Sequence, residues 1–112
     1  MSVFRLEAAP FSPIDARYIQ SSDLYISNHG SEPFDVLVHG YYPDGSIFYV
    51  TLVHAAAGST VSLPDIYNHH RAFSLLLVTN INTSLTTGIT VYAKDQGQLI
   101  AVFSNSHFSV ME

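Results

Sequence analysis

The side chains in this sequence best suited to chemistry are six histidines and nine carboxylates. A metal site needs two or more ligands on one face of an element, but His69 and His70 are adjacent and would face opposite ways on a strand. One hypothesis brings His39 and His54 together with Asp35. The simpler interpretation is that the histidines end strands near turns or line a subunit contact. We expect no metal and no cofactor.

The carboxylates and serines lack the sequence context that catalysis requires. Glycosidases need two acids in one cleft, and Asp44 lies in a Pro43–Gly45 turn, where an Asp usually bonds its own backbone. The serines have no G-x-S-x-G context, and the absence of cysteine excludes thiol nucleophiles and disulfides. We therefore expect a protein that is not an enzyme.

Tyrosines form a second pattern with functional meaning. Exposed tyrosine rings on a sheet stack on sugars or supply contacts between subunits. A sugar site needs two or three coplanar rings, whereas a subunit contact distributes them, so a carbohydrate-binding module remains an alternative. The residues concerned are Tyr41, Tyr42, Tyr49, Tyr67 and Tyr92.

The stretch that must position most of these residues runs from Phe34 to His54. Two β-branched and aromatic segments flank Pro43-Asp44-Gly45, which predicts two antiparallel strands. Apolar side chains occur on both faces of each strand, so we expect both faces to be covered, one of them by another subunit. One face carries Phe34, Val36 and Val38 on the first strand and Phe48, Val50 and Leu52 on the second.

Similar segments recur at short spacing along the chain and predict an all-β fold. The architecture we expect is a two-sheet jelly roll or β-sandwich of about eight antiparallel strands. Helices are limited to a turn or two, at Asp65–His70. The predicted strands are Arg17–Gln20, Leu24–Ser27, Phe34–Tyr41, Ile47–His54, Thr60–Leu63, Ala72–Ile81, Ile89–Lys94 and Leu99–Ser104, with a short piece at Phe108–Val110.

Residues 1–15 differ from the β-sandwich domain predicted over residues 16–112. Pro10 and Pro13 hold this segment extended, which predicts an N-terminal connector arm. Its apolar side chains, Phe4, Leu6, Phe11 and Ile14, need burial. They find it either against their own domain or on the sheet edge of a neighbouring subunit.

Charge and hydropathy limit the partners and the location. A net charge of −5, with only four Lys and Arg residues, argues against nucleic acid as a partner. No apolar run approaches the ~20 residues of a membrane span, and the first residues lack the apolar core of a signal peptide. We expect a protein that is cytoplasmic or that leaves the cell without a cleaved leader.

The chain resembles the small jelly-roll subunits of bacterial endospore appendages, the Ena fibres. The resemblance rests on an N-terminal connector before the domain and on FYVTLVHAAAGSTVSL followed by the apolar strand AFSLLLV. It implies a self-assembling fibre subunit whose sheets augment those of its neighbours, located outside the cell or on the spore surface. The cysteines of that family are absent, so such a fibre would be held by burial and hydrogen bonds.

The function hypothesis is therefore a structural subunit of an extracellular fibre, joined to copies of itself by strand augmentation and arm insertion. On this hypothesis, deletion of residues 1–15 leaves a folded monomer. An accessory phage or virion jelly roll that forms a closed ring is a further alternative. The expected contact residues are Phe4, Leu6, Phe11, Ile14, Tyr41 and Tyr49.

Overall fold

The computed structural model describes residues 1–111, which form nine strands and two single-turn 3-10 helices. The predicted all-β sandwich is confirmed. The strands are β1 (Ser2–Ala8), β2 (Ser21–Asn28), β3 (Phe34–Tyr41), β4 (Ile47–Ala55), β5 (Thr60–Tyr67), β6 (Phe73–Thr79), β7 (Thr87–Asp95), β8 (Gln98–Ser104) and β9 (Ser109–Met111), and the 3-10 turns are Ala16–Tyr18 and Asn105–His107.

Two antiparallel sheets pack face to face. Sheet A has the strand order β4-β3-β6-β1-β9, and sheet B has the order β5-β2-β7-β8. Alternate residues of each central strand point inward, as the period of two in β3 and β6 predicts. The largest fully buried side chains are Phe4, Phe34, Leu6, Leu24, Ile26, Ile66, Leu75, Leu77, Ile89, Val36, Val38 and Val91.

The predicted N-terminal arm is instead part of the sandwich. β1 lies inside sheet A, paired along its whole length with β6 and on its other side with β9. Phe4, Leu6 and Ile14 are buried in the protein's own core. An alternating apolar strand that finds its place within its own chain avoids the entropy cost of association, and this favours the intramolecular position. The proposed boundary between residues 15 and 16 does not separate two units.

Two local predictions also need correction. Arg17–Gln20 is not a strand, because the Asp15 carboxylate accepts the Arg17 backbone N–H and starts a 3-10 turn at Ala16. Asp65–His70 is not helical. β5 continues to Tyr67, and the chain then turns through His69 and His70 at positive φ.

A bulge in β4 changes which side chains share a face. Gly40 pairs with Tyr49 and Tyr41 pairs with Ile47, so Phe48 is an extra residue and turns toward the core, where it meets Phe73 edge to face. Val50 and Leu52 therefore do not share its face and point outward.

Candidate interaction surfaces

The predicted contact residues fall into two groups in the structure. Phe4, Leu6 and Ile14 are buried, and Tyr49 packs partly buried against the core, where loss of hydration raises the pKa of its phenol. Phe4, Leu6 and Ile14 are therefore not available to a partner in this fold, and Tyr49 is available only in part. Phe11 is 84% exposed, with the Arg17 guanidinium 3.8 Å from its ring centre. Tyr41 faces outward on sheet A.

Two tyrosine rings meet on sheet B, but they do not lie in one plane. Tyr25 and Tyr92 lie on the outer face of sheet B with their planes at 90°. Tyr42 stacks on Phe48 and carries the Arg71 guanidinium 3.6 Å from its ring centre, so both of its faces have neighbours. The tyrosine pair on sheet B is therefore not the coplanar set that a sugar site needs.

The histidines form two isolated pairs with carboxylates. His54 Nδ1 lies 2.8 Å from Asp35, and His70 Nε2 lies 2.9 Å from Asp95. His39 is four residues along β3 from Asp35, and the pair Leu37–Leu52 separates it from His54. Within residues 1–111 no three His, Asp or Glu side chains come together in a way that could hold a metal ion.

Each sheet has two edge strands, and one edge of each sheet is protected. In sheet B, β5 contains Pro64, which lacks an N–H, and Asp65 at a φ of 57°, beside a break in the register with β2. In sheet A, β9 is three residues long. Short strands, prolines and irregular backbone are the usual devices that prevent edge-to-edge pairing.

The other two edges are less protected: each has one bulge, at Phe48 in β4 and at Ile100 in β8, but no proline and greater length. β4 has nine residues and β8 has seven, and neither contains Asp, Glu, Lys, Arg or Pro. Exposed apolar side chains occur on both strands: Ile47, Val50 and Leu52 on β4, and Leu99, Ile100 and Val102 on β8. Long, uncharged, apolar edges are templates for another strand.

The backbone of β8 presents hydrogen-bonding groups to solvent. The Ser104 N–H donates to His107 Nδ1 rather than to β7, so it points to the free side of the strand. Because backbone direction alternates along a strand, the Val102 N–H points to the same side. Leu99 and Ile100 lie next to the irregular pairing with Lys94, at the other end of the strand.

A groove of about 500 Å³ runs beside the free edge of β8. Its apolar wall includes Tyr18, Ile19, Ile100 and Phe103. A strand added to β8 would direct alternate side chains into this groove, which is how strand-addition sites gain specificity.

The two carboxylates at this groove already have partners. Hydrogen bonds from the Arg17 side chain lower the pKa of Asp15 to about 2, and the backbone N–H groups of Arg17 and Phe11 contribute to the same shift. Asp95 is paired with His70. A partner that docks here therefore meets carboxylates already paired within the chain, alongside the apolar wall.

β4 and β8 lie at opposite margins of the sandwich and in different sheets. β4 is next to β5, whereas β8 continues through the second 3-10 turn to β9 at the far side. The sequence contained the signal for this asymmetry, since QLIAVFS has no charge and LPDIY holds both a proline and an acid. Strand order, which decides the edges, was not visible in it.

Residues 1–111 contain no helix with the length and apolar character required to cross a membrane. The chain matches no protein-family model and no curated protein. Among solved structures it is similar to the crystal structure of Thermotoga maritima 1070, with a TM-score of 0.55 and 13% identity. The match covers 92% of this chain and 88% of the other. At this identity the similarity shows the fold alone, a two-sheet β-sandwich.

Proposed function

We propose that this protein is a structural, non-enzymatic subunit of an extracellular fibre that polymerises by strand augmentation. The observation that carries the proposal is the pair of long edges, β4 and β8, which hold no Asp, Glu, Lys, Arg or Pro and lie at opposite margins of one sandwich. Arm insertion is not part of it, because β1 is an internal strand.

The contact we propose joins β8 of one copy to β4 of the next. Both edges offer backbone groups and apolar side chains, and neither places a charged Asp, Glu, Lys or Arg in the new ladder. Because the two edges differ, the contact is heterologous, and it extends into an open filament if successive rotations do not close. This geometry requires no segment to leave its own fold.

The test uses the outward N–H of Val102. Replacing Val102→Pro removes that donor while leaving the β7 ladder on the other side, and the matched control Val102→Thr keeps both the N–H and the β-branched shape. We expect filaments of the full-length chain and of the control by negative-stain microscopy, and single folded particles for Val102→Pro.

Urea denaturation and circular dichroism establish that both variants are folded. Filaments that persist in folded Val102→Pro would overturn the role of β8. Small closed rings in place of filaments would support the contact between β8 and β4 but would show that the assembly closes into a ring. Light scattering distinguishes such a ring from a fibre.

A further inference from the structure

We propose that a second copy of the chain packs face to face on the outer face of sheet A, forming a lateral dimer that is independent of the strand edges. The face is defined by outward-pointing residues in register across the sheet. One row crosses all five strands and is entirely apolar. It consists of Leu52, Leu37, Val78, Val3 and Met111.

The next row continues this surface. Val50, His39 and Leu76 are cross-strand neighbours, followed by Arg5 and Ser109. Leu52 is 67% exposed and Met111 is 70% exposed, so the ends of the apolar row are in water. A contiguous apolar surface that is exposed to water marks an interaction site.

The outer face of sheet B has a different character. Tyr25, its central residue, is flanked across the strands by Thr90 and Ser62, and Lys94 forms ion pairs with Asp23 and Asp65. A continuous apolar row across the whole sheet is therefore specific to sheet A, because the exposed aliphatic side chains of sheet B, such as Val102, lie at its β8 margin.

The charges around the face identify the partner as a neutral, apolar surface. Arg5 pairs with Glu7 at 2.8 Å, and Asp35 pairs with His54 at 2.8 Å, both within the chain. Apart from His39, the acids and bases named on this face are paired within the chain. A second copy offers the same apolar row, from Leu52 to Met111. It also places the ion pairs at the margin of its own face against those of the first copy, as is typical of two-fold interfaces.

The area is adequate for such a dimer. Five strands about 4.8 Å apart and three side-chain rows about 6.8 Å apart cover roughly 500 Å² on each copy. Side-chain relief adds to this, so the two copies together bury about 1,000–1,400 Å², at the lower end of the range for specific interfaces. Two shallow grooves on the face, of about 470 and 230 Å³, receive side chains of the facing sheet.

The experiment measures dimerisation where filaments cannot form. In the Val102→Pro background, sedimentation velocity from about 5 to 500 µM is expected to show a monomer–dimer equilibrium, with dimer prevailing at the highest concentration. Val78→Lys, at the centre of the face and away from both edges, should weaken it at least ten-fold. The matched control Thr90→Lys, central on the outer face of sheet B, should leave it unchanged.

Val78→Thr keeps the side-chain shape and serves as a second variant if Val78→Lys does not fold. It should weaken the dimer several-fold. A face-intact protein that stays monomeric at 500 µM, or a dimer insensitive to both Val78 variants, would overturn the inference. The two proposals fail separately. A variant that loses filaments but keeps dimers has lost only the β8 contact. A variant that loses dimers but keeps filaments has lost only the contact through the outer face of sheet A.

Discussion

Phe4→Ala distinguishes a strand that belongs to its own domain from an arm that serves a neighbour. Phe4 is 0% exposed and lies on β1 between β6 and β9. Truncating a buried Phe to Ala costs about 3–5 kcal/mol, from lost transfer free energy and the cavity left behind. Phe11, another residue of the same predicted arm, is 84% exposed, so Phe11→Ala should cost about 0.5–1 kcal/mol, chiefly its contact with Arg17.

The assay is urea denaturation of both variants in the Val102→Pro background, followed by fluorescence of the tyrosines and by circular dichroism. With a urea dependence of about 1–1.5 kcal/mol per molar for a chain of this size, Phe4→Ala lowers the midpoint by about 2–5 M. Phe11→Ala lowers it by less than about 1 M. Deletion of residues 1–15 is expected to unfold the chain, because it removes a strand from the interior of sheet A.

Protein concentration provides the decisive control. If β1 pairs within its own chain, the effect of Phe4→Ala is the same at 1 and 100 µM. If the strand instead lies in another copy, the difference between the Phe variants shrinks on dilution, whereas dimerisation through the outer face of sheet A shifts the midpoints of parent and variants alike. A cost below about 1 kcal/mol for Phe4→Ala, or a cost that changes with protein concentration, would refute the intramolecular position of β1.

Three further predictions concern groups that hold the sandwich together. Asn28→Ala removes an amide that donates to two backbone carbonyls at 2.7 and 3.0 Å. We expect chemical denaturation to show a free energy of unfolding lower by about 1–3 kcal/mol, and a decrease below about 0.5 kcal/mol would count against this role. Gly40→Ala places a Cβ 2.8 Å from the ring of Phe48, so it should cost about 1–3 kcal/mol and change the near-ultraviolet circular dichroism; an unchanged spectrum and midpoint would contradict the close approach. Asp15 has its pKa lowered from 3.8 to about 2 by hydrogen bonds from Arg17, so its contribution is fully present above about pH 4 and is lost as pH falls toward 2. The difference in unfolding free energy between the parent and Asp15→Asn should therefore shrink between pH 6 and pH 2, and a difference independent of pH would exclude this carboxylate as its source.

The sequence by itself determined the fold class and much of the local structure. Strict alternation in Phe34, Val36 and Val38 specifies a strand with one buried face, because only a period of two places those side chains together. Asp95-Gln96-Gly97 specifies a hairpin, since Gln96 and Gly97 both adopt the positive φ that such a turn requires. These signals are local, and so they can be read along the chain.

Tertiary structure decided where the strands go and which faces remain free. β1 and β9 come from opposite ends of the chain and still pair, and no local pattern encodes a contact of that separation. The bulge at Phe48 turns Val50 and Leu52 outward, although the alternation had grouped all three residues. The apolar row from Leu52 to Met111 exists only because five strands align in one register, and register is set by pairing between distant segments rather than by any one of them.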